Sequence, residues 1–253
     1  MIKVEKIQIP ALPTEKPRRL YIYLPKDYDR TDRRYPVLYM FDGHNVFYNS
    51  HATYGRSWGM KEYLERTKLP LILVAVECNP EGHKRLSEYT PWSFTVPELG
   101  TVEAKGEATM DYFVNQLKPR IDAEYRTLPD REHTLVAGSS MGGVMALYAV
   151  TAYNSVFSRA AALSPCLWLE PKRMAELIRT AKLEEKTLVY TDMGGGEVEG
   201  HIRPLTALFE TAKRLTRSGA YVDARTVHGA MHNEAAWEKR IPVFMDFLLG
   251  RAE

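Results

Sequence analysis

The stretch Thr134-Leu-Val-Ala-Gly138-Ser-Ser140-Met-Gly142-Gly-Val-Met-Ala-Leu-Tyr148 decides the fold of this 253-residue chain. It begins with a short β-type segment, passes through the pattern Gly-x-Ser-x-Gly, and continues as a predicted helix from Met141. Glycines two before and two after Ser140 allow the strand and helix backbones to pass close together. A serine between glycines is usually only a turn, but a strand before it and a helix after it predict a nucleophile elbow that exposes the Ser140 hydroxyl.

Strand-like and helix-like segments alternate along the chain, which predicts the α/β class, with a mostly parallel central sheet and helices on both faces. Continuous apolar runs at residues 35–41 and 69–76 are typical of central strands that are covered on both sides. Residues 19–24 alternate in the β manner and are expected to pair with residues 4–9, which would give the sheet an antiparallel N-terminal edge. Further strands are predicted at residues 160–163, 187–191 and 220–227, and helices at 108–124, 141–153, 171–181, 201–218 and 234–249.

Composition limits the classes of function. With 45% hydrophobic residues and no linker, repeat or low-complexity tract, residues 1–253 are expected to form one domain. The 34 basic and 32 acidic residues give a net charge of +2 without a long basic run, which argues against a nucleic-acid partner. No segment approaches 18 uninterrupted apolar residues and the N-terminus lacks a signal-peptide pattern, so we expect a cytoplasmic protein that does not contact membranes. The oligomeric state stays open, and a homo-oligomer is one option.

The two cysteines, Cys78 and Cys166, each lie in an apolar stretch. Neither the number nor the spacing suits a disulfide framework or a metal site. We therefore expect two free, buried thiols in a reducing compartment and no bound metal.

A serine nucleophile needs an imidazole to accept its proton and a carboxylate to orient that imidazole. After an elbow, the acid and the base follow the serine in the order acid then histidine, each on a loop after a later strand. His201, His228 and His232 are the downstream histidines. His232 is favoured because it lies just past the last predicted strand, at the start of the C-terminal helix, whereas His228 is at the strand end and His201 opens a helix.

The acid is expected in the glycine-rich loop Thr191-Asp192-Met-Gly-Gly-Gly-Glu197-Val-Glu199. Glu197 follows three glycines that can fold the loop toward the imidazole, so it is the favoured acid. Asp192 competes, although an aspartate at a strand end commonly satisfies the amides of its own turn. Glu199 is the third alternative.

Two backbone amides are expected to bind the oxyanion. One is the N–H of Met141, at the positive end of the predicted helix. The second should come from the loop after the third strand, residues 41–47, where Gly43 permits a close approach and His44 supplies its N–H. Such donors contribute about 3 kcal/mol each to transition-state stabilisation.

The region from residue 78 to 106 has no clear periodicity and is rich in aromatic side chains, which often line binding sites when they lie on irregular loops. Each of these side chains is about as often part of a small core cluster. The candidates for substrate binding, within this region and outside it, are Gly43, Trp58, Arg85, Tyr89, Trp92 and Trp168.

With these residues in place, the sequence resembles the putative-esterase family of α/β-hydrolases, which includes siderophore esterases, feruloyl and acetyl-xylan esterases, S-formylglutathione hydrolase and mycolyltransferases. The resemblance spans nearly the whole chain. Its distinctive segments are residues 39–47, 85–92, 117–122, 125–127, 138–143, 164–165 and 229–237. The chain departs from the family pattern at His44, where the family commonly has Gln, and at Gly194-Gly-Gly196, where the family usually has a different sequence. The family position of the acid supports Glu197.

The resemblance implies an α/β-hydrolase fold and a serine carboxylesterase with the triad Ser140, Glu197 and His232, oxyanion donors Met141 and His44, and no cofactor. The expected partner is a small-molecule ester, of either the siderophore-trilactone or the feruloyl and acetyl type. A pocket lined by Arg85 and other basic residues would favour anionic siderophores, and a neutral aromatic slot would favour cinnamoyl esters. The alternatives are an acyltransferase on the same scaffold and a catalytically inactive ligand-binding protein, whose sign would be a broken triad.

Overall fold

The computed structural model describes residues 1–198 and 200–251. Within these ranges the chain forms ten strands: β1 (Ile2–Ile7), β2 (Arg18–Tyr23), β3 (Val37–Met40), β4 (Ile72–Val76), β5 (Phe94–Val96), β6 (Gly100–Val102), β7 (Thr134–Ser139), β8 (Arg159–Leu163), β9 (Leu188–Gly194) and β10 (Tyr221–Val227). All except β5 and β6 belong to one sheet with the order β1-β2-β4-β3-β7-β8-β9-β10.

The sheet is antiparallel at its N-terminal edge and parallel elsewhere. β2 pairs antiparallel with both β1 and β4, whereas every neighbouring pair from β4 to β10 is parallel. This confirms the predicted sheet. Because the parallel strands all end at one edge, the loops that follow β3, β7, β8, β9 and β10 meet there.

The described residues also form nine α-helices: α1 (Met60–Thr67), α2 (Lys84–Glu88), α3 (Gly106–Tyr112), α4 (Lys118–Glu124), α5 (Met141–Ala152), α6 (Pro171–Thr180), α7 (Arg203–Arg217), α8 (Glu234–Glu238) and α9 (Ile241–Leu248). Alternate residues of β3 belong to different core clusters, one on each face of the sheet: Val37 and Tyr39 in one, Leu38 and Met40 in the other. Helix α5 is apolar and buried almost all round, which is typical of a helix enclosed in a core. None of the helices in the described ranges has the length and apolar character needed to cross a bilayer.

Two predicted helices differ from the structure, and proline explains both differences. Residues 108–124 were expected to form one helix, but a π turn, Phe113–Leu117, separates α3 from α4. Pro119 cannot donate the backbone hydrogen bond that a regular helix needs there. Likewise, the predicted helix 234–249 is two helices, α8 and α9, because Pro242 lacks the N–H that would continue the first one.

The periodicity of the sequence did not predict the helix α1 or the elements between residues 78 and 106. The first region contains the short helix α2 and the two-stranded hairpin of β5 and β6. These elements are only three to five residues long, which is too short for a periodic pattern to develop.

Candidate active site

Ser140 occupies a strained turn between β7 and α5. Its φ of 57° and ψ of −122° lie in a region that residues with a side chain rarely adopt. The turn is tight enough that a Cβ atom on Gly138 would lie 2.5 Å from the carbonyl oxygen of Gly142. The Ser140 N–H donates to the carbonyl of Leu163 on β8 (2.9 Å), which anchors the turn to the sheet. The predicted elbow geometry is therefore present, and the Ser140 side chain faces a cavity.

His232 and Glu197 form a hydrogen-bonded pair at the same edge of the sheet. Nδ1 of His232 donates to Oε2 of Glu197 across 2.7 Å, which leaves Nε2 as the nitrogen available to a nucleophile. The imidazole is 39% exposed, whereas the carboxylate is only 4% exposed. Both Ser140 and His232 line the cavity.

The Glu197 carboxylate is held from several sides. Its Oε1 accepts hydrogen bonds from the Ser164 hydroxyl (2.6 Å) and the Gly194 N–H (2.9 Å), and Arg240 Nη2 lies 3.4 Å away. Burial alone would raise the pKa of Glu197, but the hydrogen bonds from His232 and Ser164 outweigh it and hold that pKa below its ordinary value. The acid is thus fixed in its ionised form, which suits a group that orients an imidazole.

The alternative acid, Asp192, has partners other than a histidine. It lies on β9, is completely buried, and binds Arg240 Nη1 (2.7 Å) and the Tyr190 hydroxyl (2.8 Å). Glu199, the third candidate, lies outside the described residues. The other downstream histidines, His201 and His228, are exposed and do not line the cavity.

Ser164 and Arg240 are residues that the sequence analysis did not assign to the site. The Ser164 hydroxyl contacts Glu197 and also accepts from Trp237 Nε1 (3.1 Å) and Arg240 Nη1 (3.0 Å). Ser164 has a φ of 46° just after β8, and this left-handed turn directs its hydroxyl toward the acid. The pair Ser164-Pro165 was visible among the family segments, whereas Arg240, inside a helix-like pattern, gave no signal.

The Ser140 hydroxyl is not hydrogen-bonded to His232. It contacts Cys166 Sγ instead, at 3.4 Å. Burial raises the pKa of the Cys166 thiol, so this neighbour is a neutral group. Hydrogen bonds between catalytic groups are often long or absent without substrate and tighten when it binds.

The two expected oxyanion donors lie on adjacent segments. A Cβ on Gly142, in the first turn of α5, would lie 3.2 Å from both Asp42 Oδ2 and Phe41 Cβ, so the loop after β3 packs directly on the elbow. Gly43 permits this loop to approach β4, since a Cβ there would lie 2.7 Å from the backbone of Ala75. Within the described residues, the N–H groups of Met141 and His44 donate to no other backbone or side-chain acceptor.

The cavity beside Ser140 has a volume of about 620 Å³, and most of the residues that line it are polar or charged. Of the six candidate substrate-binding residues, it is lined by Arg85 and not by Gly43, Trp58, Tyr89, Trp92 or Trp168. Trp58 and Tyr89 are buried, 3% and 2% exposed, and Trp168 packs against the core. Trp92 instead lines a narrow apolar slot on the other side of the elbow, together with Met141 and Cys166.

Charges in the cavity are mostly paired. Arg85 binds both oxygens of Asp42 at 2.7 Å, and Arg19 binds Glu77 at 2.6 Å. Burial alone would raise the pKa of Asp42, but the Arg85 guanidinium holds it below its ordinary value. The wall is therefore not a free cationic surface.

Asp42, His44 and Cys78 place three possible metal-ligand atoms within 4.8 Å of one another. Because both Asp42 oxygens are already bound by a guanidinium, a cation would have to displace Arg85 from a buried carboxylate. The ion pair accounts for this cluster, and we assign no metal to it. Cys78 and Cys166 are both free thiols, as predicted; Cys78 is buried and Cys166 is partly buried.

Comparison with known proteins identifies the family of the chain. The model of the putative esterase family matches residues 13–247, and the chain belongs to this family of ester-hydrolysing enzymes. Among curated proteins it is 28% identical to the uncharacterized protein YbbA of Bacillus subtilis over 250 residues, covering 92% of this chain and 93% of that protein. It is also 29% identical to the esterase Rv1288 of Mycobacterium tuberculosis over 183 residues, which cover 71% of this chain but 35% of that protein.

The fold also matches solved structures. An IroE-like serine hydrolase from Shewanella oneidensis superposes with a TM-score of 0.77 at 19% identity, over 98% of this chain and 79% of that one. This likeness confirms the predicted α/β-hydrolase fold. The resemblance to the esterase family, predicted from seven short segments, is likewise confirmed.

Proposed function

We propose that this chain is a serine carboxylesterase with Ser140 as nucleophile, His232 as general base and Glu197 as the orienting acid. The hydrogen bond of 2.7 Å between Glu197 and His232, at the mouth of the cavity that Ser140 faces, carries this proposal. Each member of the triad is present, so the chain lacks the broken triad expected of an inactive binding protein.

In the first half-reaction, the Ser140 hydroxyl leaves Cys166 and donates its proton to Nε2 of His232 while its oxygen attacks the ester carbonyl carbon. The carbonyl oxygen becomes an oxyanion that accepts hydrogen bonds from the N–H groups of Met141 and His44. The tetrahedral intermediate then collapses, the bond to the alcohol oxygen breaks, and His232 protonates the departing alkoxide. Glu197 remains ionised throughout and stabilises the imidazolium.

In the second half-reaction, water attacks the acyl-enzyme. His232 takes one proton from the water, a second tetrahedral intermediate forms in the same oxyanion site, and its collapse releases the carboxylic acid. The proton on His232 returns to Ser140. Transfer of the acyl group to an alcohol in place of water would follow the same steps.

The two sides of Ser140 differ in size, which supports a preference for short acyl groups. On the side of Cys166, which the Ser140 hydroxyl contacts, there is only an apolar slot of about 10 Å³, lined by Met141, Trp92 and Cys166 but not by Ser140 itself. The side toward His232 is the cavity of about 620 Å³. Since His232 must protonate the leaving oxygen, the alcohol belongs in the large cavity. The acyl group then points toward the slot, where space for about one water molecule leaves little room for a long chain. Because the cavity arginines are paired with carboxylates, an iron-loaded catecholate substrate has little support.

The test is a series of p-nitrophenyl acetate, butyrate and octanoate, measured beside methyl ferulate and a catecholate trilactone. We expect kcat/KM to fall by about tenfold or more from acetate to octanoate. Activity should be lost in Ser140→Ala and retained in Ser139→Ala, which removes the neighbouring hydroxyl. Equal activity of the Ser140→Ala variant and the wild type would exclude the proposed nucleophile.

A further inference from the structure

Glu234 is a buried carboxyl group in the catalytic cavity that the proposed reaction does not use. It is the first residue of α8, only 5% exposed, and lines the cavity together with Ser140 and His232. Its Oε1 accepts a hydrogen bond of 3.2 Å from the side-chain amide of Asn45. Among the described residues, no Lys, Arg or His nitrogen lies within 4.0 Å of its carboxylate.

The balance of charge around the cavity leaves this carboxylate without a counter-ion. The described lining contains three carboxylates, Asp42, Glu77 and Glu234, and two guanidiniums, Arg19 and Arg85. Both guanidiniums are used in ion pairs with Asp42 and Glu77. Burial raises the pKa of Glu234, as expected for a carboxyl group that lacks a cation. A positively charged ligand group would supply the missing charge.

The location of Glu234 indicates which part of a substrate would meet it. Only one residue separates it from His232, and it lies on the His232 side of the nucleophile, away from the slot at Met141 and Cys166. The imidazole must reach the leaving oxygen, so the alcohol portion of the ester occupies this side.

We propose that Glu234 is a specificity-determining residue that recognises a positively charged group on the alcohol portion of the ester. This inference rests on the proposed serine esterase mechanism. The substrate class is therefore a short-chain ester of a cationic amino alcohol. Coulombic attraction to this buried carboxylate favours the charged ester over a neutral one of the same shape, and the preference should appear mainly in KM.

A structural role makes a different prediction. An acidic side chain in the first turn of a helix interacts favourably with the positive helix end, so Glu234 could serve only to stabilise α8. Loss of such a role would lower stability or reduce activity toward all substrates equally. It would not change the ratio of activities toward a charged and an uncharged ester.

The experiment compares acetylcholine with its uncharged isostere, 3,3-dimethylbutyl acetate, at about pH 8, well above the ordinary pKa of a glutamate. Acetylcholine is chosen because its quaternary ammonium group cannot act as a nucleophile. The ester of a primary amino alcohol is unsuitable, because its amine would attack the ester and the acyl group would migrate from oxygen to nitrogen. In the wild type, we expect kcat/KM for the charged ester to exceed that for the neutral one by about tenfold or more. Glu234→Gln should bring the ratio to about one.

Glu238→Gln is the matched control, since Glu238 lies on the same helix, binds Arg56 and does not line the cavity. It should keep the wild-type ratio. A wild-type ratio of one or less, or an unchanged ratio in Glu234→Gln, would overturn the inference. Hydrolysis of p-nitrophenyl acetate that depends on Ser140 tests the mechanism separately, so an active enzyme without charge preference disproves only the role of Glu234.

Discussion

Arg240 Nη1 lies 2.7 Å from the carboxylate of Asp192, and the two side chains are 3% and 0% exposed. The same guanidinium contacts the Ser164 hydroxyl and approaches Glu197. Asp192 therefore neutralises a buried cation beneath the site, while Glu197, five residues further along the chain, binds the imidazole of His232. The two carboxylates thus have different partners, a guanidinium for the one on β9 and a histidine for the one in the loop that follows.

Asp192→Asn should destabilise the protein by about 3 kcal/mol, because it leaves the buried Arg240 without its closest partner. Activity per folded molecule should stay within about tenfold of the wild type, since Glu197 keeps its hydrogen bond to His232. Urea unfolding measures the free energy of unfolding. Kinetics normalised by an active-site titration measure the activity per folded molecule. A loss of activity as large as that of the Glu197 variant would assign the acid to Asp192.

Glu197→Gln should lower kcat by about 10³-fold to 10⁴-fold, because an amide neither holds the required imidazole tautomer nor stabilises the imidazolium. The change in KM should be small, since Glu197 does not line the cavity. Steady-state kinetics with p-nitrophenyl acetate measure both values. If kcat falls by less than tenfold, Glu197 is not the acid.

The free energy of unfolding should depend on Glu197 in a pH-dependent way. Its pKa is lowered in the folded state, so its ionised form stabilises the protein above the unfolded pKa of about 4.3, and this contribution is lost as the pH falls through the folded value. The difference between wild type and Glu197→Gln should thus be largest near neutral pH and shrink below about pH 4. Urea unfolding at several pH values measures it. A difference that grows on acidification has the opposite sign and contradicts the assignment.

Most of the fold could be predicted because long apolar strands and an elbow leave clear sequence patterns. The strand β7 and the helix α5 have little freedom once glycines stand at 138 and 142. The interruptions at the π turn and between α8 and α9 were missed because Pro119 and Pro242, which lie inside the predicted helices, were not treated as breaks.

The grouping of Ser140, Glu197 and His232 at one edge of the sheet could be predicted from chain order, but the pocket wall could not. Order along the chain determines which loops meet at the carboxyl edge of a parallel sheet. Whether an aromatic residue lines a cavity depends on packing between distant segments: Trp58 stacks on Trp237 in the core (centroids 5.7 Å apart) instead of facing the cavity. Ser164 and Arg240 act through one buried network whose members are 76 residues apart, and no local pattern marks it.

Gly138→Ala should lower stability by about 3 kcal/mol and reduce kcat, because the new Cβ would lie 2.5 Å from the Gly142 carbonyl and push α5 away from the strand. Gly219→Ala is the comparison, since Gly219 has a φ of +99° but no atom within 4 Å of an added Cβ. It should cost about 1 kcal/mol from backbone strain and leave kcat unchanged. Thermal unfolding measures the stability of each variant, and steady-state kinetics measure its kcat. Equal effects on kcat would show that close packing at the elbow does not position Ser140.

The central claim is that Ser140 is the nucleophile, and covalent labelling tests it most directly. Wild type and Ser139→Ala should each gain the mass of one phosphonyl group when treated with a fluorophosphonate, and peptide mapping should place the group on Ser140. Ser140→Ala should remain unlabelled under the same conditions. Labelling of Ser140→Ala to the wild-type extent, or attachment of the group to a different residue in the wild type, would contradict the account.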